Sequence, residues 1–309
     1  MPENIHKPVL LAEVLLGLKP RPGGVYLDGT LGGTGHAQAL LEASSPTGRL
    51  YGCDRDPEAV ALAETKLARF AGRFEVRVGN FAELADWVEP ESCDGILLDL
   101  GISSNQLDAA ARGFSFAKDG PLDMRLNPAI GISAVEVVNH ASANELAGLF
   151  WEFGQERNSR KIAREIERMR AREPIRTTRQ LAGLIERILP PRGDRTHPAT
   201  RVFLALRIHT NQELDALRVG LQRIWGLLKQ GGRIGIITFH SIEDRMVKEF
   251  GRALNRDYRF EGIVDVPELR RPARREARWV NSKPIVPSPE ELAANARARS
   301  AQLRILEKL

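Results

Sequence analysis

The sequence predicts an α/β fold in which a mostly parallel sheet is interrupted by a helical insertion. Apolar segments of strand length alternate with helix-like segments through the first hundred residues, and this alternation resumes after about residue 200. Strands that alternate with helices of about 10–15 residues pair in parallel and form a three-layer sheet. Between about 105 and 189 the chain shows amphipathic helices instead. We therefore predict one domain made of residues 1–104 and 201–309, with residues 105–200 inserted as a helical domain.

The individual elements follow from hydrophobic periodicity and helix-start signals. The predicted strands are 24–28, 49–54, 74–79, 94–100 and 234–239, with 258–264 and 300–306 as further candidates on either side of an Arg/Pro-rich loop. The predicted helices are 36–43, 56–70, 133–140, 144–153, 158–172, 177–189 and the long segment 200–228. Asp56 and Pro57 are typical of a helix start, because aspartate caps the first turn and proline needs no N–H there. Gly231 and Gly232 predict a turn before strand 234–239.

The composition is that of a soluble globular protein, with 42% hydrophobic and 28% charged residues in a chain of 309. The two cysteines, Cys53 and Cys93, are too few for a disulfide framework and form no metal-ligand cluster, so we expect buried, reduced thiols and no metal site. No signal peptide opens the sequence. No apolar run reaches the roughly 20 residues that span a bilayer. We therefore expect a cytoplasmic protein that does not enter a membrane.

The net charge of +5 is unevenly distributed along the chain. Residues 155–207 carry 14 basic and 6 acidic side chains and residues 251–309 carry 13 and 8, whereas residues 1–100 carry 9 and 15. A local basic excess suggests a polyanionic partner. Charge alone leaves open the alternative that these arginines lie on solvated helix faces.

A glycine-rich loop follows the first predicted strand. Asp28 ends that strand, and the loop 29–36 reads Gly-Thr-Leu-Gly-Gly-Thr-Gly-His. It lacks the Gly-Lys-Ser/Thr of a phosphate-binding loop, and Gln38 stands where the dinucleotide fingerprint needs a glycine. The remaining ligand that suits the loop is S-adenosylmethionine, which carries no phosphate. A purely structural role for the loop stays open at this point.

Ligand-suited side chains also end the other predicted strands. Asp54 ends the second strand, where a carboxylate can accept both hydroxyls of a ribose. Asn80 and Phe81 follow the third strand and would flank an adenine, although Phe81 could equally be a core aromatic. Asp99 ends the fourth strand and would face the cofactor or the substrate. Ligands of open α/β sheets bind at the carboxyl ends of the strands, so these residues support one another.

Several motifs resemble those of the MraW/RsmH methyltransferase family. They are GTLGGTGH at 29–36, CDRDP at 53–57, DGILLDLGISS at 94–104, RGFSF at 112–116, DGPLDMR at 119–125, HPATR at 197–201, FHSIEDR at 239–245 and NARARS at 295–300. The resemblance implies a class I, Rossmann-like S-adenosylmethionine methyltransferase sheet with an inserted all-helical domain. It also implies methylation of the exocyclic N4 of a cytidine in the decoding centre of bacterial 16S ribosomal RNA. The cofactor-binding residues that it implies are Thr34, Gly35, His36, Asp54, Phe81, Asp99 and Gln106.

The chain departs from this family pattern at two positions. Thr34 stands where the pattern has glycine, and Asn105 stands where it has proline before Gln106. Neither change removes a side chain that the resemblance assigns to the cofactor. The first bears on the conformation of the glycine loop, and the second on the turn after the fourth strand.

Methylation of a cytosine amine needs hydrogen-bond acceptors more than a strong base. The lone pair of N4 is delocalised into the ring, so acceptors must stabilise the positive charge that develops during transfer. Asp99 is one candidate catalytic residue, with the alternative that it serves the cofactor. His240, which follows strand 234–239, is the other candidate, with the alternative that it is held by Glu243 or Asp244.

Basic residues in the insertion and in the tail are candidates for RNA binding. Arg157, Arg160, Lys161, Arg164 and Arg168 recur at helical spacing. In the tail, Arg274 and Arg275 lie close to Trp279 in the sequence, a combination that suits phosphates and stacked bases. Trp279 could also be an anchor packed beneath the tail. The expected partner is 16S rRNA within the small ribosomal subunit.

Three matters remain open at this stage. The same fold could methylate DNA or a protein side chain, and a ribosome-assembly factor with a decayed cofactor site is a further alternative. The intact loop glycines and Asp54 favour an enzyme. The oligomeric state is undetermined, with a homodimer as one alternative.

Overall fold

The computed structural model describes residues 8–190, 197–260 and 265–309. Up to residue 99 the elements are α1 (Leu11–Leu18), β1 (Val25–Asp28), α2 (Gly35–Ala43), β2 (Arg49–Asp54), α3 (Pro57–Leu67), β3 (Phe74–Val78) and β4 (Cys93–Asp99). Next come α4 (Ser104–Asp108), α5 (Ala134–His140), α6 (Ala143–Glu152), α7 (Ser159–Arg170), α8 (Thr178–Ile188) and α9 (Thr200–Asn211). The chain continues with α10 (Glu213–Trp225), β5 (Leu228–Thr238), α11 (Ser241–Leu254), β6 (Tyr258–Phe260), β7 (Arg270–Pro272), β8 (Ala277–Trp279), α12 (Pro289–Ala294) and β9 (Gln302–Lys308).

Seven strands form one sheet in the order β3-β2-β1-β4-β5-β9-β8. The first five in this order are parallel, with Leu27 of β1 opposite Tyr51 of β2 and Ile96 of β4. Strand β9 runs antiparallel to both β5 and β8. The predicted α/β sheet is therefore confirmed, with an antiparallel pair at one side.

Helices cover both faces of this sheet because its side chains alternate between them. Tyr26 packs with Leu40 of α2 and Val60 of α3 on one face. Leu27, its neighbour in β1, packs with Ile224 of α10 and Val247 of α11 on the other. Successive strand residues point to opposite faces, so one strand supplies two cores.

The chain divides into two compact units. The described residues up to Gly101 and from Ala216 onward form the sheet unit, and Ile102–Asp215 form the helical unit. The helical unit has its own core, which includes Phe150, Ile162, Ile185 and Leu206. The helical unit extends beyond the predicted 105–200, because α9 packs with the inserted helices.

Three local predictions were wrong. The segment 200–228 is two helices, since Gln212 adopts a left-handed conformation (φ 49°) between α9 and α10. Gly231 and Gly232 lie inside β5, where Gly231 has φ 78° and the register with β4 shifts between Cys93 and Gly95. The Arg/Pro-rich segment contains the short strands β7 and β8 instead of a continuous loop.

Two further expectations concern the tail and the thiols. Of the strand predicted at 258–264, Tyr258–Phe260 pairs with β7 in a separate two-stranded sheet, and 261–264 lie outside the described residues. Both cysteines are free and buried, as expected. None of the described helices is long and apolar enough to cross a bilayer.

Candidate active site

Three aspartates meet at the carboxyl edge of the parallel strands. Asp28, Asp54 and Asp99 are the last residues of β1, β2 and β4, and β1 lies between the other two strands. Neighbouring strands are about 4.8 Å apart, so the sheet itself brings the three carboxylates together. This edge is where an open α/β sheet binds ligands.

The glycine loop folds back onto this edge. Gly32 donates its backbone N–H to Asp54 Oδ2 at 2.9 Å, and the N–H of Asp99 donates to Thr30 Oγ1 at 2.7 Å. A Cβ at Gly29 would lie 2.5 Å from Leu98 Cδ2 and 2.8 Å from Phe81 Cβ. The loop thus approaches its neighbours at a distance that only glycine permits.

Thr34 adopts the conformation that the family pattern assigns to glycine. Its φ is 69° and its side chain is fully buried, with Oγ1 donating to the carbonyl of Gly33. A β-branched residue is rare in this region and costs about 1–2 kcal/mol. The loop conformation therefore persists despite the departure, and α2 begins at Gly35 directly after it.

Most unpartnered buried polar side-chain atoms of the described residues lie at this edge. They are Asp28 Oδ2, both ring nitrogens of His36, Asp99 Oδ1 and His240 Nε2; the remaining one is Thr210 Oγ1 of the helical unit. His36 Nε2 lies 3.5 Å from Asp99 Oδ2 without forming a hydrogen bond. An unpartnered buried polar atom costs about 1–3 kcal/mol, so this concentration indicates a site that a polar ligand completes.

Burial perturbs the acidity of two of the aspartates. Asp28 is 1% exposed, and burial raises its pKa to about 6 against the opposing effects of nearby His36 and the N–H of Thr30. Burial also raises the pKa of Asp54 to about 6, although its carboxylate accepts hydrogen bonds from the N–H groups of Asp56 and Gly32. Clustered titratable groups with shifted pKa values are typical of functional sites.

Phe81 packs into the core beside the glycine loop. It is 8% exposed and begins a short 3-10 helix, Phe81–Asp86, whose start is held by a capping box between Asn80 and Glu83. Its ring lies against Gly220 of α10, where a Cβ would be 2.1 Å from Cε2. Phe81 is thus a core aromatic in contact with the loop, and its role against an adenine stays a prediction.

His240 is the N-cap residue of α11. Its Nδ1 accepts from the N–H of Glu243, and its Nε2 lies 3.0 Å from Glu243 Oε1 without forming a hydrogen bond. This contact matches the structural alternative considered for His240. A catalytic role for it stays a prediction.

The remaining predicted site residues are divided between the two units. Gln106 is buried in α4 of the helical unit, where its Oε1 accepts from the N–H of Ser103 in a capping box. Arg160, Lys161 and Arg164 are exposed along the start of α7 in the same unit, and Arg157 is exposed just before that helix. Arg274 and Arg275 lie between β7 and β8 of the sheet unit.

One residue of the site was given no ligand role from the sequence. Asp28 was interpreted only as the end of the first strand, yet its Oδ2 is buried without a partner beside the loop. The available signal was its position directly before the first glycine, where a carboxylate at a strand end faces the ligand edge.

The sheet order, the glycine loop and the aspartates at its carboxyl edge define a Rossmann-like class I methyltransferase. The chain belongs to the MraW methylase family, which matches residues 3–309. The methyl donor of this family is S-adenosylmethionine.

Curated relatives agree with this membership. The chain is 49% identical to the ribosomal RNA small subunit methyltransferase H of Syntrophotalea carbinolica, covering 98% of each chain. It is 47% identical to the protein of the same name from Thermomicrobium roseum, covering 98% of this chain and 94% of that one.

Solved structures show weaker similarity. An rRNA methylase from Streptococcus thermophilus has a TM-score of 0.42 at 12% identity, covering 97% of this chain and 92% of that one. A SAM-dependent O-methyltransferase from Thermotoga maritima has a TM-score of 0.42 at 11% identity, covering 99% and 68%.

Proposed function

We propose that this enzyme methylates the exocyclic N4 of a cytidine in the decoding centre of 16S rRNA, in the cytoplasm. The observation that carries the chemistry is the group of unpartnered buried polar atoms around Asp28, His36 and Asp99. The named relatives, small-subunit rRNA methyltransferases, support the substrate class.

The cofactor side of the site suits S-adenosylmethionine, which when bound supplies an electrophilic methyl group on a sulfonium. Each Asp54 oxygen already accepts one backbone N–H, from Gly32 or Asp56. An ionised carboxylate has about four acceptor positions, so each oxygen retains one for a ribose hydroxyl. Asp28 Oδ2, buried without a partner, suits a cationic or N–H-bearing part of the same ligand.

Asp99 is the residue that we assign to the amine. Its buried Oδ1 has no partner in the described part of the chain, and the side chain as a whole is 25% exposed, so another part of the carboxylate is open to a substrate. A carboxylate there accepts a hydrogen bond from N4 and stabilises the positive charge that develops on it. The same bond orients the amine, and the proton released can pass to this carboxylate or to solvent.

The helical unit supplies the surface that we assign to rRNA recognition. Helix α7 buries Ile162, Ala163 and Ile166 and therefore turns the side that carries Arg160 and Arg164 outward. Neither of these two arginines has an acidic partner within residues 8–190, 197–260 and 265–309. Guanidinium groups free of carboxylates bind phosphates, which position an RNA without reading its sequence.

The proposal is tested by methyl transfer from labelled cofactor to small ribosomal subunits and to naked 16S rRNA, with mapping of the modified base. We expect label on N4 of one cytidine and its strong reduction in Asp99→Asn. Asp94→Asn is the matched control, because Asp94 lies near the opposite end of the same strand and pairs with Arg21 and Lys229. Label on a carbon or a ribose oxygen would contradict the N4 assignment.

Calorimetry separates this proposal from its alternatives. A methyltransferase binds S-adenosylmethionine whether its substrate is RNA, DNA or protein, and Asp54→Ala should weaken that binding. A ribosome-assembly factor with a decayed site would give no heat. Methyl transfer to DNA or to a protein, with none to rRNA, would refute the substrate.

A further inference from the structure

A basic pocket lies in the sheet unit, outside the site described above. Its volume is about 470 Å³, and its lining includes Trp225, Arg259, Arg274, Arg275, Glu276 and Lys308. Pockets of roughly 300–1,000 Å³ hold small ligands or parts of larger ones. Four of the nine lining residues have cationic side chains and one has an acidic side chain, so the pocket suits an anion.

The strand register places this pocket at the edge of the sheet opposite the aspartates. Thr238, at the carboxyl end of β5, pairs with Gln302, and Lys308, at the other end of β9, pairs with Ala277. Lys308 Nζ donates to the carbonyl of Leu228, the first residue of β5, at 2.7 Å. Six residue steps of about 3.3 Å separate Gln302 from Lys308, so the two edges are about 20 Å apart.

Three of the four cations are held by carboxylates that leave other donors free. Arg259 donates to Glu276 at 2.9 Å, Arg275 to Asp257 at 3.0 Å, and Lys308 to Glu91 at 3.1 Å. Each of these arginines uses one of its five N–H groups in the pair. The pairs therefore fix the direction of the side chains without using up their donors.

Arg274 differs from the other three. It is exposed, and within the described ranges 8–190, 197–260 and 265–309 it has neither an acidic partner nor a hydrogen bond from its side chain. A guanidinium in this state presents its whole donor fork, which matches the geometry of a phosphate.

We propose that this pocket is a second contact for the rRNA substrate, one that holds a backbone phosphate about 20 Å from the methyl-transfer centre. The inference rests on the function proposed above. Its consequence is that the substrate is a folded RNA large enough to reach two opposite edges of one sheet. A short RNA that only fills the methyl-transfer centre does not reach the pocket.

The test compares Arg274→Ala and Arg274→Glu with Arg49→Ala. Arg49 is a matched control because it is exposed at the start of β2, at the same edge of the sheet but five strands from β8. We measure the KM for small ribosomal subunits, the binding of naked 16S rRNA at several salt concentrations, and the affinity for S-adenosylmethionine.

We expect Arg274→Ala to raise the KM about threefold to tenfold and to lower the salt slope of rRNA binding by about 0.7–0.9, the value of one phosphate contact. Arg274→Glu should raise the KM and lower the salt slope further than Arg274→Ala, and Arg274→Lys should change both less. The kcat, the affinity for the cofactor, and the methylation of a short hairpin with the target cytidine should stay unchanged. Arg49→Ala should match the wild type in every measurement.

Three outcomes would overturn the inference. If the Arg274 variants have the kinetics and the salt slope of the wild type, the pocket does not bind RNA. Methylation of rRNA by the wild type would still support the proposed function in that case. Weaker binding of subunits with unchanged binding of naked rRNA would assign the pocket to a ribosomal protein. If the Arg274 variants methylate the short hairpin as poorly as they methylate the subunits, the effect lies at the methyl-transfer centre. Absence of rRNA methylation by the wild type would refute the proposed function itself.

Discussion

The burial of Asp28 makes a stability prediction that can be checked without any substrate. Burial raises the pKa of Asp28 to about 6 from its usual 3.8, so the folded protein without cofactor holds a carboxylate that resists ionisation. A group whose pKa is raised by folding stabilises the fold at low pH, and this stability is lost as pH rises through the folded pKa. The lost stability amounts to about 3 kcal/mol at pH 8 and about half of that at pH 5.

The perturbation is Asp28→Asn, which keeps the acceptor for the N–H of Thr30 and removes the charge. The amide group that replaces Oδ2 adds a cost of about 1–3 kcal/mol where it finds no partner, but this cost does not depend on pH. The informative quantity is therefore the difference between two pH values. We expect the variant to gain about 1.5 kcal/mol more stability relative to the wild type at pH 8 than at pH 5.

The assay is urea denaturation of both proteins without cofactor at pH 5 and pH 8. Asp257→Asn is the control, because Arg275 holds the pKa of Asp257 below its usual value and the carboxylate stays ionised at both pH values. Its effect on stability should be the same at pH 5 and pH 8. A stability change in Asp28→Asn that is also independent of pH would refute the reasoning.

Three further predictions concern the cofactor site, the packing of α10 against Phe81, and a buried amide of the helical unit. Asp54→Asn should weaken S-adenosylmethionine binding about 10- to 100-fold by calorimetry, because one acceptor of the carboxylate becomes a donor; unchanged affinity would exclude it from the cofactor site. Gly220→Ala should lower stability to urea by about 1–3 kcal/mol, since its Cβ would lie 2.1 Å from Phe81 Cε2, and should also weaken cofactor binding. The control is Gly148→Ala in α6, where the added Cβ would have no atom within 4 Å. This substitution should raise the free energy of unfolding by about 1 kcal/mol and leave the cofactor affinity unchanged. Asn211→Leu should lower the free energy of unfolding by about 1–3 kcal/mol in thermal or urea denaturation. The reason is that the carbonyl of Met124 and the N–H of Leu126 lose the hydrogen bonds of 2.7 and 2.8 Å that the amide makes with them. An unchanged stability would mean that this buried bridge contributes nothing.

Elements with a strong local pattern were predictable from the sequence. The strand that ends at Asp54 has the predicted bounds, and the helix after Asp56 has the predicted start, because an apolar run and a capping aspartate act over a few residues. The break at Gln212 was missed, since a single left-handed residue leaves the amphipathic pattern on both sides intact. The strand β8 was missed because its pairing partner, β9, lies some 30 residues further along.

The sequence by itself determined the class of ligand, because the glycine loop and the acidic strand ends are local patterns whose common location follows from parallel pairing. Only the tertiary structure decided which of these groups lack partners. The buried Oδ2 of Asp28 and the placement of Gly220 against Phe81 depend on contacts between distant segments. The tertiary structure also places Arg274 one strand length from the methyl-transfer edge. The reason is that β9 runs antiparallel to β5, so its last residues lie at the opposite edge of the sheet, where they pair with β8.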